Sequence, residues 1–91
     1  MIELEKTVVN PSGIHARPAA VFVGTSKKYK SSISITNLKT GASCDAKSIL
    51  KILTLTIGCG TRILLRAEGP DEQEAIAALS EQIDNRLGED G

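Results

Sequence analysis

The chain has 91 residues, 11 basic and 11 acidic side chains, a single histidine, and only two aromatic residues, Phe22 and Tyr29. That length suits one small domain over 1–91, burying about 60% of its unfolded surface, with no room for a second core. Zero net charge and the scarcity of aromatic stacking platforms exclude a general nucleic-acid binder and a polybasic membrane module. With no signal segment, lipidation motif or apolar run of spanning length, we expect a cytoplasmic protein without membrane insertion.

Ile2, Leu4 and Val8 alternate with Glu3, Glu5 and Thr7, which predicts a strand with one buried face. Asn10, Pro11, Ser12 and Gly13 form a turn cluster. From Ala16 the composition predicts a helix over 16–29, with Ala19, Phe22, Val23 and Ser26 on one side. Lys27, Lys28 and Lys30 crowd its end, where cations suit the carbonyl pole. His15 therefore falls at or beside the N-cap, where the first N–H groups lack helical partners and the dipole places positive charge. A phosphate suits that position. Pro18 fits the first turn because it has no N–H to waste, and Arg17 can fork a guanidinium onto phosphate oxygens. A neutral imidazole is a nucleophile. The backbone N–H groups of Ala16 and Arg17 would cradle what it accepts. On position alone, a histidine at an N-cap is more often structural or inert. The sequence offers no obvious partner base, which favours a residue that accepts and hands on a group over an enzyme centre.

Residues 32–37 alternate again, 37–41 offer a hairpin loop, and 42–45 form a short return strand at an edge. Ser48 can cap a short helix running to about residue 54. In it Ile52 and Leu55 share one side, while Ile49, Leu50 and Leu53 cluster on another. One set can enter the core, and the other is then a candidate partner surface. Gly58, Cys59 and Gly60 make a turn before a strand over 61–68 that alternates at Ile63, Leu65 and Ala67. Asp71 caps the last helix with Glu74 as a capping-box pair. Ile76, Leu79, Ile83 and Leu87 mark its buried stripe, Gly88 terminates it, and the end of the chain, 88–91, is a frayed tail. The order βαββαβα gives an α+β fold with helices layered on one face of an antiparallel sheet. Cys44 and Cys59 have neither CxxC spacing nor a histidine at metal spacing, so they read as buried or half-buried thiols of a reducing compartment. A disulfide between them stays open at this point; no metal or cofactor is expected.

The segment Gly13-Ile14-His15-Ala16-Arg17-Pro18-Ala19-Ala20, with a second match at Lys47-Ser48-Ile49, resembles the HPr family. These are the histidine-containing phosphocarrier proteins of the bacterial phosphoenolpyruvate-dependent sugar phosphotransferase system. The resemblance covers nearly the whole chain in order and length. It implies an open-faced sandwich, a four-stranded antiparallel sheet with three helices. It implies that His15 takes a phosphoryl group on a ring nitrogen from phosphorylated enzyme I and gives it to the A-type components of sugar permeases, with Arg17 stabilising the phosphorylated ring. Ile49, Leu50 and Leu53 match the family's contact surface. Ser48 matches a serine that many members have phosphorylated by an HPr kinase/phosphorylase, and for such members a catabolite-control transcription factor is a further partner. Lys51 and Thr56 stand where many members have glycine, so Ser48 reads equally as a plain N-cap. We expect a monomer. Two other readings are a carrier to nitrogen-regulatory targets and a binding module that acts through Ile49, Leu50 and Leu53 with His15 vestigial.

Overall fold

The computed structural model describes residues 1–88, so the tail expected at the chain end lies, beyond Gly88, outside the described residues. In chain order the elements are β1 (Ile2–Thr7), α1 (Ala16–Ser26), β2 (Ser32–Asn37), β3 (Ser43–Asp45), α2 (Ile49–Thr54), β4 (Arg62–Glu68) and α3 (Glu72–Asp84), followed by a 3-10 turn over Arg86–Gly88. The strands form one antiparallel sheet in the order β1-β4-β2-β3, with the three helices on one face. This is the α+β arrangement that the βαββαβα order predicts.

Strand alternation decides which face is covered. Ile35 on β2 faces Leu65 on β4 and Cys44 on β3, and Leu65 in turn faces Leu4 on β1, so one row crosses all four strands beneath the helices. Onto it pack Ala19, Phe22 and Val23 of α1, Ile52 of α2, and Ala75, Ile76, Leu79 and Ile83 of α3, all buried. The opposite row pairs Glu3 with Arg66 and Glu5 with Arg62, each at 2.8 Å and largely exposed. Such surface pairs contribute about 0–1 kcal/mol each, so the buried row carries the stability.

Two helix ends and one cap differ from the sequence expectation. α1 stops at Ser26, short of residue 29: the Ser26 hydroxyl donates to the Phe22 carbonyl at 2.9 Å, and Lys28 N–H turns back to Thr25. The turn is needed to bring the N–H groups of Lys30 and Ser31 onto the Asp71 carboxylate, at 2.8 and 2.9 Å. Asp71 does stand at the N-cap of α3, but its side chain makes no capping bond there. Glu72, not Glu74, reaches back, accepting from Gly69 N–H at 3.2 Å. Finally α3 ends at Asp84. Arg86 and Leu87 then take left-handed backbone angles (φ 59° and 52°), and these return Leu87 to the core outside the helical stripe.

The Asp71 tie has a pH signature. The Ser31 hydroxyl first, then the Lys30 N–H, hold its carboxyl below the usual aspartate value. A lowered folded value means that its contribution is fully present above the unfolded value of about 3.9 and disappears as pH falls through the folded one. Asp71→Asn should therefore lower the urea midpoint at neutral pH, with the gap to wild type closing on acidification below that range. A gap independent of pH would reject the carboxylate as its source.

Candidate functional site

The candidate site begins where β1 runs out. Val8 N–H donates to Thr61 at 3.0 Å and Gly60 N–H returns to Val8 at 2.7 Å, so the β1–β4 pairing continues into the 58–60 turn. The chain then closes on itself: Gly13 N–H donates to the Asn10 carbonyl at 3.0 Å, and the buried Asn10 side chain donates from Nδ2 to the Gly13 carbonyl at 2.5 Å. Gly13 has φ +68° and lies flat against Ile57 and Gly58, and Ile14 N–H donates to the Ile57 carbonyl at 2.9 Å. Ile14 is buried and His15 exposed, so the chain leaves the core at the imidazole.

His15 is the N-cap of α1, as the turn and helix pattern predict, with extended backbone angles (φ −143°, ψ 148°) and no side-chain capping bond. Its ring is thus not engaged in holding the helix. Ala16 follows with φ 39°, a left-handed value that a residue with a Cβ seldom adopts. Pro18 and Ala19 are buried against the core and fix the helix behind it, whereas His15, Ala16 and Arg17 all face solvent. The local geometry is an exposed imidazole, a helix N-terminus and an exposed guanidinium in consecutive residues. It can receive an anion from a partner surface and leave it accessible to the next one.

Helix α2 divides much as its spacing predicts. Ile52 and Leu55 are buried, Ile49 is exposed and Leu50 protrudes at 74% exposure, but Leu53 is only half exposed and packs partly on the core. Ser48 caps α2, its Oγ accepting from Lys51 N–H at 3.4 Å, and is half-buried. The α2 exit is tied down by buried Asn37, whose Nδ2 donates to the Leu55 carbonyl at 2.9 Å. Two residues on, Ile57 holds Ile14, so the apolar surface and the histidine loop share one support. Between them Thr56 takes φ 51°, a left-handed value that glycine adopts without steric cost. A β-branched residue in that region is strained by about 1–2 kcal/mol, and glycine loses more entropy on folding, by about 0.5–1 kcal/mol. Thr56→Gly should therefore stabilise by ~0.5 kcal/mol, read as a rise in the urea midpoint.

Both cysteines are free thiols, so the disulfide left open by the sequence is not formed. Cys44 is half-buried as expected, and burial first, with Asp45 beside it, pushes its thiol above the usual value. Cys59 departs from the expectation: it is exposed on the 58–60 turn, where the sulfur lies 3.8 Å from the Val9 carbonyl. Gly58 of this turn is packed against Gly13, but Cys59 and Gly60 beyond it are exposed. Among the described residues no group of three or more His, Cys, Asp or Glu side chains is placed to hold a metal, and no helix is long and apolar enough to cross a membrane.

Sequence reading missed Asn10 and the Ile57–Gly58 support. Asn10 was legible only as a turn former, because nothing in its neighbours signals a buried amide. The contact of Gly13 with residue 58 spans 45 positions, and no local pattern encodes it.

The chain is similar to known proteins over nearly its whole length. Residues 2–85 match the model of the family described as the PTS HPr component phosphorylation site. The chain is 42% identical over 90 residues to the phosphocarrier protein HPr of Pseudomonas aeruginosa, covering 98% of each. It superposes on the crystal structure of HPr-C-His from Thermoanaerobacter tengcongensis with a TM-score of 0.94 and 42% identity, over the full length of both chains. It is also 36% identical over 90 residues to the multiphosphoryl transfer protein of Salmonella typhimurium, matching 98% of this chain and 24% of that protein.

Proposed function

The chain belongs to the HPr family of phosphocarrier proteins of the phosphotransferase system, and from that premise we propose that His15 is the residue that carries the phosphoryl group. The observation that carries this reading is the exposed, uncapping imidazole at the N-terminus of α1, followed at once by the exposed Arg17.

The donor is phosphorylated enzyme I, and the acceptors are the A-type components of sugar permeases. A ring nitrogen of neutral His15 attacks phosphorus, the N–P bond forms as the bond to the donor breaks, and the electron pair leaves with the donor group. Transfer onward reverses these roles. Charge spread over the phosphoryl oxygens is met by the Ala16 and Arg17 N–H groups and by the Arg17 guanidinium, so that positioning and charge supply the catalysis. The protein acts stoichiometrically, each molecule passing on one group per cycle. Ile49 and Leu50, with the edge of Leu53, form the docking surface for these partners. Ser48 already gives its oxygen to the α2 N-terminus. A phosphate there, added by an HPr kinase/phosphorylase, would keep that cap and place negative charge beside Ile49 and Leu50, weakening their docking.

Intact mass after incubation with phosphoenolpyruvate and a bacterial enzyme I tests the reading. The expected result is a gain of one phosphoryl group, lost in acid and mapped to residue 15. No gain, with the same enzyme I active on another carrier, would overturn it.

A further inference from the structure

Asn10 is wholly buried, although its side chain is a polar carboxamide. A polar group in that setting is costly unless its hydrogen bonds are specific. Its Nδ2 donates to the Gly13 carbonyl, and the N–H of the next residue, Ile14, donates to the Ile57 carbonyl at 2.9 Å. The Gly13 carbonyl and the Ile14 N–H are the two polar ends of one peptide unit. That unit is therefore clamped from both sides, by a side chain of its own turn and by the backbone of a distant one. Gly13 has little room to swing, because the space a Cβ would fill is already taken by the 57–58 backbone, and the Ile14 side chain is buried beyond it. His15 is the next residue, so its Cα position and the direction of its Cβ follow from the plane of this unit.

We propose that Asn10 is a positioning residue for phosphoryl transfer: it orients the Gly13–Ile14 peptide and, through it, presents the His15 ring nitrogen in line with the incoming phosphorus. This rests on the reading of His15 as the acceptor. An in-line displacement is sensitive to displacement of the nucleophile by about 1 Å, which can cost on the order of 100-fold in rate. The neighbouring docking surface, Ile49 and Leu50, does not touch Asn10 through any of these bonds. Loss of the clamp should thus appear in the transfer step rather than in the encounter with the donor.

The test compares wild type, Asn10→Ala and Asn10→Asp as substrates of enzyme I and phosphoenolpyruvate, at a temperature where melting curves show each folded. Asn10→Asp keeps the shape and puts an oxygen where Nδ2 donates to Gly13, at the cost of a buried carboxyl. Leu79→Val, in the core under α3, serves as a control for stability loss alone. The expected result is a fall of at least ~10-fold in kcat for the Asn10 variants, KM within about twofold of wild type, and an unchanged kcat for Leu79→Val. Amide exchange on the wild type requires no variant to fold: the Ile14 N–H should be protected nearly to the limit of global unfolding. The proposal is overturned if folded Asn10 variants keep the wild-type kcat, if the Leu79 variant loses as much, or if Ile14 exchanges freely. Failure of the wild type itself to accept phosphate is the separate result that removes the reading of His15, and this proposal with it.

Discussion

His15→Ala should leave the protein as stable as wild type and abolish phosphoryl acceptance. The first half follows because the imidazole is exposed and makes no capping bond, so its removal deletes neither buried surface nor a satisfied donor. Surface changes of that kind fall within about 0.5 kcal/mol. The second half follows because the sequence holds no other histidine. Arg17→Ala separates the nucleophile from its electrostatic support. Arg17 is exposed, and removing its charge should slow transfer by ~100-fold, the usual cost of losing one charged or hydrogen-bonding group at the reacting centre, while acceptance still goes to completion. Rapid-quench measurement of single-turnover transfer distinguishes the two variants: no product for the first, slow but full labelling for the second. Wild-type rates for Arg17→Ala would show that the helix N-terminus alone supplies the support. Label on His15→Ala would place the acceptor elsewhere in the chain.

The parts of this fold that were legible in the sequence are those fixed by local periodicity. Ser32–Asn37 was recognisable to the residue because alternation, the preceding helix end and the following hairpin loop all agree. His15 was placed at a helix start by four turn formers and a proline. The split of α2 followed from a spacing of three between Ile52 and Leu55. What remained hidden depends on distant partners. Asp71 has every local mark of a capping-box residue, yet the N–H groups of Lys30 and Ser31 and the Ser31 hydroxyl compete for the same carboxylate and take it. The composition of α1 allows helix to residue 29, but the connection to β2 needs the chain to turn earlier. Leu87 fits the apolar stripe of α3 by spacing, and it is buried, though through a left-handed turn that no periodicity describes. At the candidate site the same distinction holds: the chemistry of His15 and Arg17 is written locally, whereas the clamp that positions them joins residues 10–14 to 57–58.

Gly13→Ala tests that clamp with the smallest possible change. A Cβ at Gly13 would lie 2.3 Å from the Ile57 carbonyl oxygen and 2.6 Å from the Gly58 Cα, and both are backbone atoms that no side-chain rotation can move. The φ of +68° adds the left-handed cost of about 1–2 kcal/mol. Relief of the overlap requires the two loops to separate, which breaks the Ile14 N–H to Ile57 bond and loosens the packing of buried Ile14, a further loss on the order of 1–3 kcal/mol. A total near 3 kcal/mol or more is a large share of the roughly 5–15 kcal/mol by which native proteins are stable. Gly24 supplies the contrast. It lies in the interior of α1 with open space where a Cβ would go, so the identical substitution there should stabilise by about 0.5–1 kcal/mol. Urea midpoints moving in opposite directions for Gly13→Ala and Gly24→Ala would localise the effect to the contact with the 57–58 backbone. If Gly13→Ala melted like wild type, the two loops would have to be free to part without cost, and the peptide before His15 could not be held in one plane.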